Sequence, residues 1–497
     1  MTNRNVHIET ADPSPSVSSA MPLRRSSRAP LTLHPDRLFP ADSATRNVAR
    51  RLYETVCDLP IISPHGHTDA RWFADNEAFA DPSTLLIVPD HYVFRMLYSQ
   101  GVALEDLGVP RRDGGPTEAD SRAIWHRFAS QYHLFRGTPT RIWLDHVFGT
   151  VFGLDERLTS ESADRYFDRI AACLAQPEFR PRALFERFNI EVMATTESPL
   201  DPLDYHQRIR ASGWQGRIIT AYRPDPVVDP EFDGFATNVA QLGALTGENT
   251  ATWSGYLAAH RKRREFFKSM GATSTDHGHR TALTCDHGLS ECQRLLDGAL
   301  SGAISVDEAE QFRGQMLTEM AQMSVDDGLV MQLHPGSYRN HNPAVFRRFG
   351  RDKGADIPTR TDYVQALKPL LDRFGNEKNL TVVLFTVDET SYSRELAPLA
   401  GHYPILRLGP PWWFYDSPEG MQRFREDVIE TAGFYNTVGF NDDTRAFMSI
   451  PARHDVARRM DCRFLATLVV EHKIDEDEAF ELAPLLAYGL AKAAYKL

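Results

Sequence analysis

Eight short runs rich in apolar and β-branched residues recur along this chain, separated mostly by helix-like stretches, and this alternation constrains the fold more than any other feature. The runs are residues 59–62, 191–195, 217–222, 281–285, 329–333, 381–386, 404–408 and 437–440. Strands alternating with helices imply parallel pairing, and eight such units are the number that closes a (β/α)8 barrel of the TIM type, an α/β fold. Each run is followed closely by a residue suited to catalysis or binding: His65, Glu197, Arg223, Asp286, His334, Asp388, Trp412 and Asp443. In such barrels these positions lie on the C-terminal face, where active sites are built.

A barrel of this kind needs about 250 residues, and the chain has 497. Residues 1–35, rich in Ser, Pro and Thr, read as a flexible N-terminal tail, and residues 36–68 open the barrel and carry its first strand. The stretch 69–190 is far too long for a loop and has helical patterns over 92–98 and 165–174, so it reads as a helical insertion subdomain after strand one. Residues 191–497 supply the rest of the barrel and a C-terminal helix. Asp201-Pro202-Leu203-Asp204 predicts a helix over 201–212, with Asp201 as N-cap, Pro202 in the first turn and a carboxylate at the positive end of the dipole. The same dipole logic, Asp475 to Glu478 at one end and Lys492 and Lys496 at the other, predicts the last helix.

Charge and cysteine usage exclude several function classes. Lys and Arg number 55 against 67 Asp and Glu, a net charge of −12 with no basic footprint, which argues against nucleic acid. No stretch approaches the about 18 consecutive apolar residues needed to cross a bilayer, so no membrane partner is expected. Arg24-Arg25-Ser26-Ser27-Arg28 is followed by no continuous apolar core and is not read as an export signal. Five scattered cysteines without a CxxC pair suit a reducing cytoplasm. The insertion offers a surface on which a homo-oligomer can form.

His65-Gly66-His67 follows strand one directly, and two imidazoles at i and i+2 on an extended segment face one side, where both can reach a divalent metal. Spacing alone does not decide this, because His277-Gly278-His279 has it too. Position separates them: His277 and His279 precede the fourth run and are expected to be solvated loop residues on the opposite face. Asp442-Asp443-Thr444-Arg445 follows strand eight, which closes the barrel beside strand one and brings a carboxylate to the imidazoles. Its plainer reading is a helix cap. Two His and one carboxylate leave positions open for water or substrate, the mark of a catalytic site.

Several further stretches resemble the uronate (glucuronate) isomerases among the amidohydrolase-type metal-dependent barrels. They are Asp90-His91-Tyr92-Val93-Phe94-Arg95, Thr195-Thr196-Glu197-Ser198-Pro199-Leu200-Asp201, Arg223-Pro224-Asp225, Asp286-His287-Gly288, Gln332-Leu333-His334-Pro335-Gly336-Ser337-Tyr338-Arg339-Asn340, Trp412-Trp413-Phe414-Tyr415-Asp416 and Asp443-Thr444-Arg445. The resemblance implies an aldose–ketose isomerase interconverting D-glucuronate with D-fructuronate and D-galacturonate with D-tagaturonate through an enediol. It implies one divalent metal on His65, His67 and Asp443, Zn2+ first, with Mn2+, Co2+ or Fe2+ as alternatives. Asp443, His91, Tyr92 and Arg445 are the implied catalytic residues, and Arg223, His334, Arg339, His287 and Trp412 the implied substrate contacts.

Each assignment has a plainer alternative. His91 can be a buried helix histidine, Arg223 a helix cap, and Trp412 a packing residue. Asp442 competes with Asp443 for the metal side. On the same barrel, a metal-dependent hydrolase or a silent sugar-acid binder are the competing functions.

Overall fold

The structure is a computed structural model and describes residues 29–497. Seven parallel strands form its main sheet: β1 (Ile61–Ser63), β2 (Ile190–Glu197), β3 (Arg217–Tyr222), β4 (Ser274–His277), β5 (Val330–Leu333), β8 (Val382–Leu384) and β9 (Leu406–Leu408), hydrogen-bonded in that order. Between β5 and β8 the chain leaves the barrel for a small antiparallel hairpin, β6 (Ser337–Tyr338) and β7 (Ile357–Pro358). The eighth run fills the eighth place without a regular ladder. Leu408 N donates to Asn436 O at 2.8 Å, Val438 N donates to Leu408 O at 3.0 Å, and past the run His67 N donates to Thr444 O at 3.0 Å, bringing the last segment back to the first. The curled sheet is that of the expected (β/α)8 architecture.

The fourth strand differs from the sequence expectation. It is Ser274–His277, paired with β3 through Ala221 and Ser274 and with β5 through Asp276 and Gln332. Its four residues are polar and fully buried, so hydrophobic periodicity passes over them. The apolar run 281–285 instead packs as a loop on the helix Val306–Asp327: Cys285 N donates to Gly314 O at 3.1 Å, and a Cβ on Gly314 would stand 3.0 Å from Cys285 Sγ. His277 and His279 therefore lie at the C-terminal end of a strand and are 1% and 6% exposed, contrary to their reading as solvated loop residues.

Two boundaries also move. The helix expected over 201–212 is Asp204–Ala211, because Leu203 enters it at φ 57° and Asp201 Oδ1 caps a tight turn by accepting from Leu203 N at 2.7 Å. The tail expected over 1–35 is bound from residue 29 onward: Pro30 bridges Glu156 and Leu31 N donates to Asp155 O at 2.8 Å. Its remainder, with Arg24 to Arg28, lies outside the described residues. The C-terminal helix begins with a capping box of Asp475 and Glu478, and Lys492 near its end binds Glu191 at the start of β2 at 2.7 Å.

Helices between β1 and β2 pack around an aromatic core that includes Phe73, Phe94, Trp125, Phe128, Tyr132 and Phe148, all at most 2% exposed. Each such side chain contributes about 1.5–3 kcal/mol on burial. The same core runs on without a break into Ile61 of β1, Met193 of β2 and Ile218 of β3, so the inserted helices are fixed to the barrel by shared packing. The helix that begins with His91 is thereby set over the barrel mouth.

Candidate active site

A cavity of about 480 Å3 opens at the C-terminal ends of the strands, walled on one side by the barrel and on the other by the inserted helices. His65 and His67 reach it from the extended segment after β1. Asp443 Oδ1 stands 3.5 Å from His65 Nε2 and 3.2 Å from His67 Nε2. Burial pulls the His67 pKa down, keeping its imidazole neutral. Burial opposes the Asp443 charge, but His65 and His67 outweigh it and hold the carboxyl well below the usual carboxylate range. Imidazole nitrogens and an ionised carboxylate are donors that suit a divalent cation, and the three donor atoms lie within 4.8 Å of one another. Asp443 is held at φ 34°, a strained conformation for a residue with a Cβ. Asp442 turns away and meets His454 Nε2 at 3.1 Å, so Asp443 is the carboxylate on the imidazole side.

Asp276, which the sequence reading missed, lies under this corner. It is wholly buried, accepts from Arg223 Nη1 at 2.9 Å and pairs with His334 Nδ1 at 2.8 Å. A second possible donor group, His65, Asp276 and His334, shares His65 with the first. In that second group Asp276 is already committed to Arg223 as well as to His334. The signal for Asp276 lay in the polar tetrad Ser274-Thr275-Asp276-His277, which apolar periodicity cannot find.

Arg223 lines the cavity, and Asp225 (2.9 Å) and Asp276 hold its guanidinium in place. Burial works against that charge, yet the two carboxylates outweigh it and raise its pKa. Its Nη2 and that of Arg339 converge above Gly278, where a Cβ would come within 2.3 and 2.9 Å of them and would displace both guanidinium groups. Arg339 also pairs with Asp356 at 3.2 Å. Arg445 lines the same cavity and meets Asp352 Oδ2 at 3.4 Å. Four of the ten non-glycine residues with positive φ among the described residues, Asn340, Asp352, Trp413 and Asp443, line this one cavity.

From the insertion, Asp90 caps the helix His91–Ser99 by accepting from Tyr92 N at 2.8 Å, which presents His91 and Tyr92 to the cavity. The Tyr92 hydroxyl donates to Trp413 O at 3.0 Å, and the Trp413 ring meets both His91 (5.3 Å) and Tyr92 (5.0 Å) edge on. Burial pushes the His91 pKa well down and the Tyr92 pKa up, leaving a neutral imidazole and an intact O–H. Trp412 closes the barrel side with its ring 4.8 Å from His334.

His65, His67, His91, Tyr92, Arg223, His334, Arg339, Trp412, Asp443 and Arg445 thus share one cavity. His287 does not join them. It lies just before the helix Leu289–Ser301, its N–H bonded to Gln315 Oε1 at 2.7 Å, because the run that preceded it in the sequence reading is a loop. Besides Asp276, the reading missed Asp352 on the hairpin and the role of Trp413 in joining the two walls.

The chain matches the sequence profile of the family described as glucuronate isomerase over residues 42–493. It is 66% identical over 468 residues to the uronate isomerase of Phenylobacterium zucineum, covering 94% of this chain and 97% of that one. The crystal structure of glucuronate isomerase from Caulobacter crescentus superposes with a TM-score of 0.93 at 60% identity, over 94% of this chain and 98% of the other. That of uronate isomerase from Thermotoga maritima gives 0.87 at 27% identity, over 93% and 99%.

Proposed function

The chain belongs to the glucuronate isomerase family, and from that premise we propose that it interconverts D-glucuronate with D-fructuronate and D-galacturonate with D-tagaturonate at the cavity described above. The observation that carries the reading is the convergence of His65, His67 and Asp443 from the barrel with His91, Tyr92 and Arg445 in one cavity.

An aldose–ketose shift needs a base for the C2 proton, stabilisation of charge on the C1 oxygen, and a proton returned to C1. Asp443 is ionised, the protonation state a base requires. Tyr92, whose proton goes to Trp413 O, offers its hydroxyl lone pairs to accept from a sugar hydroxyl, and neutral His91 hydrogen-bonds beside it. Arg445 offers its guanidinium to substrate oxygens, and Arg223 and Arg339, converging over Gly278, to an anionic group. His334 and Trp412 form the facing wall. His65, His67 and Asp443 would hold a divalent cation, Zn2+ first and Mn2+, Co2+ or Fe2+ next, which would supply Lewis-acid polarisation of a substrate oxygen.

Among the described residues no helix is long and apolar enough to cross a membrane. All five cysteines are free thiols, which supports a reducing cytoplasm.

Incubating the purified protein with each hexuronate and following ketose formation tests the function. Ketose from D-glucuronate is expected. No turnover of either hexuronate would sink the isomerase reading and favour the hydrolase.

A further inference from the structure

We propose that Glu197 is a substrate-contacting residue of this cavity, a neutral carboxylic acid that donates its proton in a hydrogen bond to a hydroxyl of the bound sugar acid. The proposal rests on the hexuronate reading above and adds to it a residue and a protonation state.

Glu197 is the last residue of β2, between the strand that leads to His65 and His67 and the strand that ends before Arg223. Its backbone is fixed on both sides: Arg223 N donates to Glu197 O at 3.0 Å, and the neighbouring Thr196 hydroxyl donates to Gly66 O at 2.9 Å. Its side chain lines the cavity and keeps 15% exposure, so it meets whatever the cavity holds.

The two carboxyl oxygens have different surroundings. Oε2 accepts from the Thr220 hydroxyl. Oε1 has His206 Nε2 at 3.8 Å, too far for a hydrogen bond. Thr195 also bonds the carboxyl, and with both hydroxyls donating to it the proton of the neutral acid is left for a ligand.

The charges around the group favour that protonated form. His206, on the helix packed behind it, bonds the Thr195 hydroxyl at 2.9 Å, and burial draws its pKa down to about 4, so it brings no positive charge. Asp201, just past β2, and Asp69, past β1, add negative charge. Arg223, beyond β3, spends its charge on Asp225 and Asp276, and Arg263, from the helix Trp253–Ser269, binds the carbonyls of Pro199 and Asp201. Among the described residues no Lys or Arg pairs with Glu197. Burial, helped by the two aspartates and opposed by hydrogen bonds from Thr195 and Thr220, pushes its pKa up to about 8. An ionised carboxylate here would repel an anionic sugar acid, whereas a neutral acid donates to its hydroxyls without that cost.

Two variants test this, with circular dichroism to confirm folding. Glu197→Ala removes the donor; it should raise KM for D-glucuronate at least about tenfold and weaken binding of the non-isomerisable D-glucarate by a similar factor in calorimetry. Glu197→Gln keeps an N–H donor of nearly the same shape and should stay within about threefold of wild type near neutral pH. The neutral form predominates below the raised pKa, so wild-type kcat/KM should fall as pH rises through about 8, and the Gln variant should lack that fall. A folded Gln variant as impaired as the Ala variant, an Ala variant with wild-type KM, or superimposable wild-type and Gln profiles would each overturn the proposal. Wild-type protein inert toward every hexuronate is a separate result, seen before any variant is made, and it refutes the isomerase reading instead.

Discussion

On the barrel wall of the cavity, His65, Asp276 and His334 are at most 2% exposed and stand at strand ends, placed by the parallel ladder itself. On the insertion wall, His91 and Tyr92 occupy the first turn of a nine-residue helix and are placed by side chains from distant segments. Tyr92 is tied to Trp413 O, and Arg453, from the helix Ile450–Val470, lies 3.6 Å over the Trp143 ring and 5.3 Å over Tyr92 while paired with Asp416. That ion pair is 1% and 5% exposed at its two side chains. A change at Asp443, which faces the cavity beside His65 and His67, should therefore remove chemistry and leave the fold standing. Changes behind the insertion wall should weaken fold and function together.

Asp443→Asn should have the largest effect, lowering kcat/KM at least about 1000-fold while the melting temperature stays close to wild type. A comparable loss of stability would break the contrast. Arg453→Met comes next. It leaves Asp416 buried without its partner and should cost about 3–5 kcal/mol of stability in denaturant titration. Misplacement of Tyr92 should also lower kcat/KM about 10–100-fold. Trp413→Ala removes the ring that joins both walls and should reduce kcat about tenfold, with a smaller stability loss. Asp90→Ala removes only the helix cap, and about 1 kcal/mol with a few-fold change in KM is expected from thermal melts and initial rates.

The legibility of the two walls in sequence follows the same division. His65, His67 and Asp443 could be read because each sits beside an apolar run, and the order of runs around a closed barrel puts the first next to the last. Asp276 could not be read, since β4 has four buried polar residues in place of an apolar run. Its burial is stabilised by hydrogen bonds, to Arg223 and His334, and hydrophobic patterning carries no record of those. The loop 281–285 carried the pattern of a strand because it packs on Gly314 of a neighbouring helix, a contact only the tertiary structure reveals. Misplacing that strand also promoted His287 and demoted His277. Family resemblance supplied His91 and Tyr92, but the Trp413 and Arg453 contacts that position them span more than 300 residues of sequence and have no local signature.

The most direct test of the account is to run the reaction in D2O and observe it by NMR. D-Glucuronate should give D-fructuronate that carries deuterium at C1, because a base in this cavity takes the C2 proton and a proton returns to C1. Folded, metal-loaded protein that forms no ketose from D-glucuronate or D-galacturonate would contradict it.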